Sequence, residues 1–314
     1  MSWLDDLERR GRGAVRIGFP EADEPRTAEA LRRLAAGAGL VPVAVTDGAA
    51  SPDGIETLDL ADPDFRALVE PCCPDLGAPG SGDTLRAAVA AVAAGRLDGV
   101  VAGARTTTAD VLRAGIRLLG TARDKGLVSG AFYMVLPERV LTFTDAAVVP
   151  HPNARQLVEI AVDACAARRA VVGDEPRVAF LSYATRGSAA GASVERVRAA
   201  AAEFRERRPE IASDGELQVD AALVPEVAAR KAPGSPLGGD ANVLVFPDLD
   251  SGNIGYKLVQ RLAGARAVGP ILHGLAHPLG DLSRGASIED IVLVARVTAV
   301  QAVSRGAGNE TENA

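Results

Sequence analysis

Short apolar runs alternate with longer segments of helical character along most of the chain. The runs Leu40–Val45 and Ala241–Phe246 are almost uninterrupted stretches of apolar residues, a pattern typical of strands buried on both faces of a sheet. The segments Pro25–Ala36 and Thr84–Ala94 have the length of helices, and Pro25 stands at an early helical position, where proline is favoured. This alternation predicts an α/β protein with mainly parallel sheets.

The pattern predicts the individual elements in a regular order. Strands are expected at 14–19, 40–45, 97–102, 127–136, 140–144, 177–182, 241–246 and 267–272, with a further short strand and a helix start in 216–222. Helices are expected at 25–36, 84–94, 108–119, 153–170, 190–207, 252–262 and 287–303. The strands at 127–136 and 140–144 are expected to pair, the second antiparallel. Residues 70–82 and 233–239 are rich in Pro and Gly and are predicted loops.

Composition and charge are those of an ordinary globular protein. Of the 314 residues, 47% are hydrophobic and 24% are charged, and this length favours two domains over one compact core. A net charge of −7 without any Lys/Arg-rich run argues against a nucleic-acid partner. No uncharged apolar run reaches about eighteen residues, so we expect no membrane span.

Cysteine usage favours a reducing compartment and gives no sign of a metal site. Cys72, Cys73 and Cys165 cannot all pair within one chain, and reduced thiols in a cytoplasmic protein are the simple interpretation. Residues 1–13 also contain no apolar core of signal-peptide length. Cys72 and Cys73 are adjacent and lack the spacing of zinc ligands, so we expect no bound metal.

The segment DLSRGASIED, at 281–290, concentrates the most chemistry in the fewest residues. It leads into a predicted helix, whose unpaired N–H groups and partial positive charge suit an anion. Arg284 offers a forked donor for phosphate, Ser283 a hydroxyl, and Asp290 a proton acceptor. Asp290 also fits a capping box with Ser287, and by the residues alone that structural interpretation is favoured.

Two further loops follow predicted strands and contain similar groups. Residues 246–257 pass from a strand through a turn into a helix, and Gly252 and Gly255 would allow close approach of a ligand to the backbone. Lys257 and Arg261 follow one helical turn apart, either as a solvated face or as a phosphate-binding edge. The segment lacks both the Walker and the dinucleotide-binding patterns.

The segment at 103–113 is the second of these, with three threonines and two arginines around a helix start. Thr107 or Thr108 could serve only as the N-cap, or the loop could bind a second anion. Ser129, in the sequence SGAF, is another hydroxyl near a predicted strand end. The residues alone leave these alternatives open.

Several of these segments resemble phosphate acetyltransferases, in the same order along the chain. The resemblance is carried by IGFPEADEPR (17–26), LDGVVAGARTTTADVLR (97–113), VSGAF (128–132), SYATRGS (182–188), KAPGSPLGGDANVLVFP (231–247) and, most specifically, residues 240–302. It implies transfer of an acetyl group between coenzyme A (CoA) and inorganic phosphate, with CoA as a substrate and no cofactor. It also implies a homodimer of chains with an isocitrate/isopropylmalate dehydrogenase-like fold.

The resemblance further implies two α/β/α domains with the active site in the cleft between them. The first domain would comprise 1–147 and 282–314, and the second, 148–281, would be inserted into it. Within residues that match the family's motifs, Asp290 is implied as the base for the CoA thiol. Ser283 is implied as a donor to the acyl oxygen, and Arg284 as the phosphate contact.

Substrate contacts are implied more broadly. The expected set for phosphate and CoA is Arg113, Arg261, Thr107, Thr108, Ser129, Gly252, Asn253 and Gly255. Two departures weaken the match: the family usually has His where Thr106 stands, and the loop near 70–84 replaces a helical segment that supplies another arginine. Two alternatives therefore stay open, namely a transferase for longer acyl chains such as butyryl, and a non-catalytic CoA or acyl-phosphate sensor.

Overall fold

The computed structural model describes residues 3–10, 15–37, 39–123 and 126–312. In chain order its elements are α1 (Trp3–Arg10), β1 (Val15–Phe19), α2 (Pro25–Ala36), β2 (Leu40–Thr46), β3 (Glu56–Asp59), α3 (Pro63–Val69), α4 (Thr84–Ala93), β4 (Gly99–Ala102), α5 (Thr108–Leu118), β5 (Ser129–Val135), β6 (Val140–Thr144), α6 (Ala154–Val171), β7 (Arg177–Leu181), α7 (Ala192–Arg207), β8 (Ala212–Leu217), α8 (Val219–Leu223), α9 (Pro225–Lys231), β9 (Val243–Val245), α10 (Leu249–Leu262), β10 (Arg266–His273), β11 (Leu279–Asp281) and α11 (Ile288–Glu312). Strands and helices alternate as the sequence predicts, and the α/β fold class is confirmed.

The chain forms two compact units, of which the first contains both chain ends. Unit 1 comprises 1–125 and 269–314, and unit 2 comprises 126–268. The predicted boundaries, 147/148 and 281/282, lie further along the chain than the observed ones. The first boundary differs because β5 pairs with β6 and β6 with β9, so this hairpin belongs to unit 2. The second differs because β10 pairs with β11, and β11 with β4, in unit 1.

Unit 1 is built on a mainly parallel sheet with the strand order β3-β2-β1-β4-β11-β10. Neighbours from β3 to β11 run parallel, and only β10 runs antiparallel to β11. Helices α2 and α11 pack on each other, as do α4 and α5. Since β1, β4 and β11 are parallel neighbours, the loops at their carboxyl ends open at one edge of the sheet.

Unit 2 has the strand order β5-β6-β9-β7-β8, with a hydrophobic core on each face. Alternate residues of a strand point to opposite faces. In β9, Val243 and Val245 pack into the core with Phe204 of α7, whereas Leu244 belongs to the core that contains Phe143. Strand β6 is antiparallel to β5, as predicted.

Short or polar elements are those that the hydrophobic pattern missed. Helices α1, α3 and α9 and strands β3 and β11 were not predicted, because three to eight residues carry too little periodicity. Helix α10 begins at Leu249 rather than at Gly252, because the Asp248 carboxylate caps it by accepting from Ser251 N. The predicted strand residue Ala14 lies outside the described residues. Among those that are described, no helix is both long and apolar enough to cross a membrane.

Candidate active site

The segment DLSRGASIED lies at the edge of unit 1 where the carboxyl ends of β1, β4 and β11 meet. The loops that follow these strands are 20–24, 103–107 and 282–287. Such an edge is the usual ligand-binding side of a parallel sheet. The three loops are held there by the polar side chains of Glu21, Arg26 and Asp281, to which the sequence motifs assign no role.

Glu21 fixes the backbone of the loop after β4. The residue is only 5% exposed. One oxygen accepts from the N–H groups of Gly103 (3.0 Å) and Ala104 (2.7 Å), and the other from those of Arg105 (3.0 Å) and Thr106 (2.7 Å). A carboxylate satisfies four converging donors in this way because ionised oxygens accept several strong hydrogen bonds. The anion-binding capacity of these four amides is therefore already used by the protein itself.

Arg26, at the start of α2, joins the loops that follow β4 and β11. Its Nη1 donates to the carbonyls of Arg284 and Ala286, both at 2.9 Å, and its Nη2 donates to the carbonyl of Ala104 at 3.2 Å. The Glu24 carboxylate accepts from Arg26 Nε at 2.7 Å and orients the guanidinium. Arg26 thus holds the loop that contains Arg284 through backbone carbonyls of that loop.

Asp281 ends β11 and is fully buried. Its Oδ2 accepts from the Thr108 hydroxyl at 2.7 Å, while Oδ1 has no partner among the described residues. Gly103 has a φ of +108°, and a Cβ there would stand 2.6 Å from Oδ1, so only glycine fits. Burial raises the pKa of Asp281 to about 6, although the bond from Thr108 acts to lower it.

Asp290 and Ser287 form the reciprocal cap that the sequence suggested. Asp290 Oδ2 accepts from Ser287 N at 3.0 Å and from Ser287 Oγ at 2.9 Å, and Ser287 Oγ accepts from Asp290 N at 3.2 Å. The capping interpretation is confirmed. It also orients the carboxylate at the amino end of α11, which is a useful property for a base.

Ser283 and Arg284 are exposed on the same loop. The Ser283 hydroxyl accepts from Gly285 N at 3.3 Å. No described residue forms a hydrogen bond or ion pair with the Arg284 guanidinium, whereas its carbonyl is fixed by Arg26. The backbone is held and the two polar side chains are presented to solvent.

The predicted contacts on α5 have their own partners. Thr107 caps the helix, exchanging hydrogen bonds with Asp110. The Thr108 hydroxyl donates to Asp281. Arg113, with its side chain 70% exposed, pairs with Asp110. The N-cap interpretation is confirmed for Thr107, and Arg113 remains accessible to an anion from solvent.

The predicted contacts in unit 2 differ in accessibility. A Cβ on Gly252 would stand 2.3 Å from the Asp145 carbonyl oxygen, so close packing against the backbone already requires this glycine. Asn253 Nδ2 donates to the Ala146 carbonyl at 3.2 Å, and its Oδ1 accepts from Lys257.

The other three predicted contacts in unit 2 also differ in how accessible they are to a ligand. Gly255 packs on the ring of Phe246, where a Cβ would lie 3.2 Å from Cε1. Arg261 is exposed. Ser129 is fully buried, and its hydroxyl has no partner in the described part of the chain. In that same part, no cluster of three or more His, Cys, Asp or Glu residues could hold a metal ion.

Comparison with known proteins gives consistent matches. The family model described as Phosphate acetyl/butaryl transferase matches residues 79–299. A phosphate acetyltransferase of Paracoccus denitrificans is 43% identical over 317 residues, covering 96% of this chain and 99% of that protein. One from Deinococcus radiodurans is 41% identical over 334 residues, covering 96% of this chain. The crystal structure of a phosphotransacetylase from Streptococcus pyogenes has a TM-score of 0.87 at 36% identity, covering 96% of this chain and 99% of that one.

The relatives differ in length. The chain spans 46% of the Deinococcus radiodurans protein, about half, but nearly all of the Paracoccus denitrificans protein. The match to the family model includes the loops at 103–107 and 282–287, together with Asp290. The strand β1 and the residues Glu21 and Arg26 lie before the first matched position.

Asp281 should give the protein a measurable dependence of stability on pH. Its folded pKa of about 6 lies above its value of roughly 3.9 in an unfolded chain. The folded state therefore binds this proton more tightly, and the resulting stability is complete below about pH 4 and lost as the pH rises through 6. Replacing Asp281 with Asn removes this pH-dependent contribution to stability. The free energy of unfolding of Asp281→Asn, relative to wild type, should increase by roughly 2 kcal/mol between pH 4 and pH 7 in urea denaturation.

The variant Thr108→Val provides the matched control for this measurement. It removes the hydroxyl that hydrogen-bonds Asp281 but retains the buried carboxylate, so it should keep the pH dependence of wild type or steepen it. A stability difference between Asp281→Asn and wild type that stays constant from pH 4 to pH 7 would show that Asp281 does not titrate in this range.

Proposed function

Because the chain belongs to the phosphate acetyl/butaryl transferase family, we propose that it catalyses reversible transfer of an acetyl group between CoA and inorganic phosphate. The observation that carries the proposal is the arrangement of the loop 282–287. Arg26 fixes its backbone while Ser283 and Arg284 remain exposed, and the same loop leads into the oriented carboxylate of Asp290. Acyl transfer to or from phosphate needs a base, an oxyanion donor and a phosphate contact, and this segment offers one of each.

Asp290 acts as the general base for the CoA thiol. A thiol has a pKa near 8.5 and is largely protonated at neutral pH, so a positioned carboxylate helps to form the thiolate. The two hydrogen bonds from Ser287 restrict the carboxylate to one orientation. In the opposite direction, from acetyl-CoA to acetyl phosphate, the CoA thiolate is the leaving group. The carboxylic acid of Asp290 then returns the proton to sulfur.

Ser283 and Arg284 act on the other reacting groups. The Ser283 hydroxyl donates to the acyl oxygen, which becomes negative as the thiolate or the phosphate oxygen adds to the carbonyl carbon. Arg284 offers parallel donors that match a phosphate. Both substrates bind together, the acetyl group passes directly between sulfur and phosphate oxygen, and proximity contributes much of the acceleration. No cofactor takes part in these steps.

The remaining predicted contacts belong to the same proposal. Arg113 and Arg261 are exposed and can bind phosphate groups of CoA. Thr107, Thr108, Gly252, Asn253 and Gly255 shape the surfaces around them, and several already have structural partners. Ser129 has the weakest support among these residues, because it is fully buried. We propose a cytoplasmic location, which fits the free thiols of Cys72, Cys73 and Cys165.

A homodimer is the proposed assembly, and one helix supports it. On α10, Ile254, Leu258 and Leu262 are spaced four residues apart and form a stripe, with exposed fractions of 57%, 52% and 81%. An apolar stripe of this kind is typical of a surface that another protein covers.

Disrupting the stripe should therefore change the oligomeric state. Leu258→Glu should sediment as a monomer at concentrations where wild type sediments as a dimer, because a charge would be desolvated at the interface. Arg32→Glu, an exposed change on α2 in unit 1, serves as the control and should sediment like wild type. A monomeric wild type, or a dimer that Leu258→Glu leaves intact, would contradict this interface.

The function itself is tested by arsenolysis, in which arsenate replaces phosphate and acetyl-CoA is consumed irreversibly. Asp290→Asn should lower kcat at least about 100-fold, because the amide cannot accept the thiol proton that is exchanged in the reaction. Glu289→Gln changes the neighbouring acid, which pairs with Arg33 on the surface, and should stay within about twofold of wild type. Acetyl-CoA and butyryl-CoA are compared as substrates of the wild-type protein.

Each outcome has a separate meaning. Near-normal turnover by Asp290→Asn would exclude Asp290 as the base. A higher kcat/KM for butyryl-CoA than for acetyl-CoA would favour the transferase for longer acyl chains. Tight binding of CoA by a wild-type protein that shows no arsenolysis would favour the non-catalytic sensor.

A further inference from the structure

Two carboxylates inside unit 1 contact Gly103, in the loop after β4, from different directions. The Gly103 N–H donates to Glu21 at 3.0 Å, and a Cβ on Gly103 would stand 2.6 Å from Asp281 Oδ1. Glu21 is buried, and Asp281 is fully buried. A pair of acids therefore lies under the backbone of the loops at the carboxyl edge of the sheet.

The two carboxylates have very different hydrogen-bond partners. Four backbone N–H groups donate to Glu21, an arrangement that suits an ionised carboxylate. Asp281 accepts from the Thr108 hydroxyl through Oδ2, while Oδ1 has no partner among the described residues. A buried anionic oxygen without a donor is costly. Asp281 is therefore the member of the pair that takes a proton, and Oδ1 is the atom that binds it.

The elements packed against Asp281 bring little charge to it. Strand β4 pairs with it through Ala102, α5 contributes the Thr108 hydroxyl, and α11 approaches β11 through Val294 and Thr298. On β10, His273 is buried, and its pKa of about 4 keeps it neutral near pH 6. Burial raises the pKa of Asp281 to about 6, and the charge of Glu21 acts in the same direction. Asp281 thus changes its charge close to neutral pH.

The expected phosphate contact, Arg284, follows Asp281 by only three residues. Three residues of chain span at most about 11 Å, so an anion on this loop lies within the electrostatic range of the buried acid. At a separation of the order of 10 Å and an effective dielectric constant of about 20, one unit charge shifts a pKa by roughly one unit. A bound dianion therefore raises the pKa of Asp281.

We propose that Asp281 takes up a proton when a phosphate dianion binds to the loop 282–287, so that the complex contains one buried negative charge in place of two. The proton comes from solvent and binds to Oδ1. The bond from Thr108 to Oδ2 persists and keeps α5 attached to β11. The inference rests on the proposed function, which assigns the phosphate to Arg284. Asp281 touches no substrate, and it is a positioning residue whose charge adjusts to that of the ligand.

Proton uptake fixes the direction in which affinity depends on pH. Below about pH 6, Asp281 is neutral both in the free protein and in the complex, and the affinity for a dianion is greatest. As the pH rises through 6, the free protein ionises first, because its pKa is the lower of the two. The affinity then falls until the pH exceeds the pKa of the complex, and it is constant above that value.

The test measures binding of sulfate to the full chain by calorimetry, because sulfate stays a dianion from pH 5 to pH 8. The Kd of wild type relative to that of Asp281→Asn should be close to one at pH 5 and at least about fivefold higher at pH 8, since the amide remains neutral. Binding to wild type near pH 6.5, compared in two buffers of different ionisation enthalpy, should show proton uptake. Asp281→Asn should show none.

Three further variants separate this linkage from a structural effect. Thr108→Val loses a bond that lowers the pKa of Asp281, so the uptake should persist and its maximum should move to higher pH. Arg284→Gln should lose the pH-dependent binding. Asp23→Asn is the matched control: Asp23 is exposed, and the hydrogen bond from Arg105 holds its pKa below the ordinary value. Its Kd relative to wild type should therefore stay constant from pH 5 to pH 8.

Four results would overturn the proposal. They are a ratio of Kd values between wild type and Asp281→Asn that does not change with pH, binding to wild type without proton uptake, no binding of sulfate, and unchanged pH-dependent binding in Arg284→Gln. Because binding is measured without turnover, proton uptake in a protein that shows no arsenolysis would support the linkage while refuting the transferase activity. Arsenolysis by a protein without proton uptake would do the reverse.

Discussion

The candidate site depends on one buried carboxylate, that of Glu21. Four backbone N–H groups of the loop 103–106 donate to it, and without this acceptor they would lose their hydrogen-bond partner in the protein. Because Glu21 follows β1 and the loop follows β4, the interaction fixes two neighbouring strand ends to each other. Arg26 then extends the constraint to the loop after β11.

This arrangement separates the groups that hold the loops from the groups available for chemistry. The side chains of Glu21 and Arg26 form hydrogen bonds with loop backbone, and Asp281 accepts one from the Thr108 hydroxyl. The side chains of Ser283 and Arg284 remain exposed. The site is thereby built on a backbone that is set before any substrate arrives. Preorganisation of this kind is what an oxyanion donor and a phosphate contact require, since their value depends on position.

The sequence predicted the long elements and the local contacts well. Strands such as β2 and helices such as α6 follow from periodicity, and the cap between Ser287 and Asp290 follows from a spacing of three residues. The unpredicted parts depend on distant residues or on very short elements. Glu21 meets its loop 82 to 85 positions later, and β11 has three residues.

The central claim is that Glu21 positions the site, and the specificity constant for arsenolysis tests it most directly. Glu21→Gln keeps the shape of the side chain but offers one acceptor oxygen and an NH₂ group to four donors, so kcat/KM should fall at least about tenfold in a protein that still folds. Asp23→Asn, two residues away in an exposed pair with Arg105, should stay within about twofold of wild type. A folded Glu21→Gln protein with the kcat/KM of wild type would contradict the account.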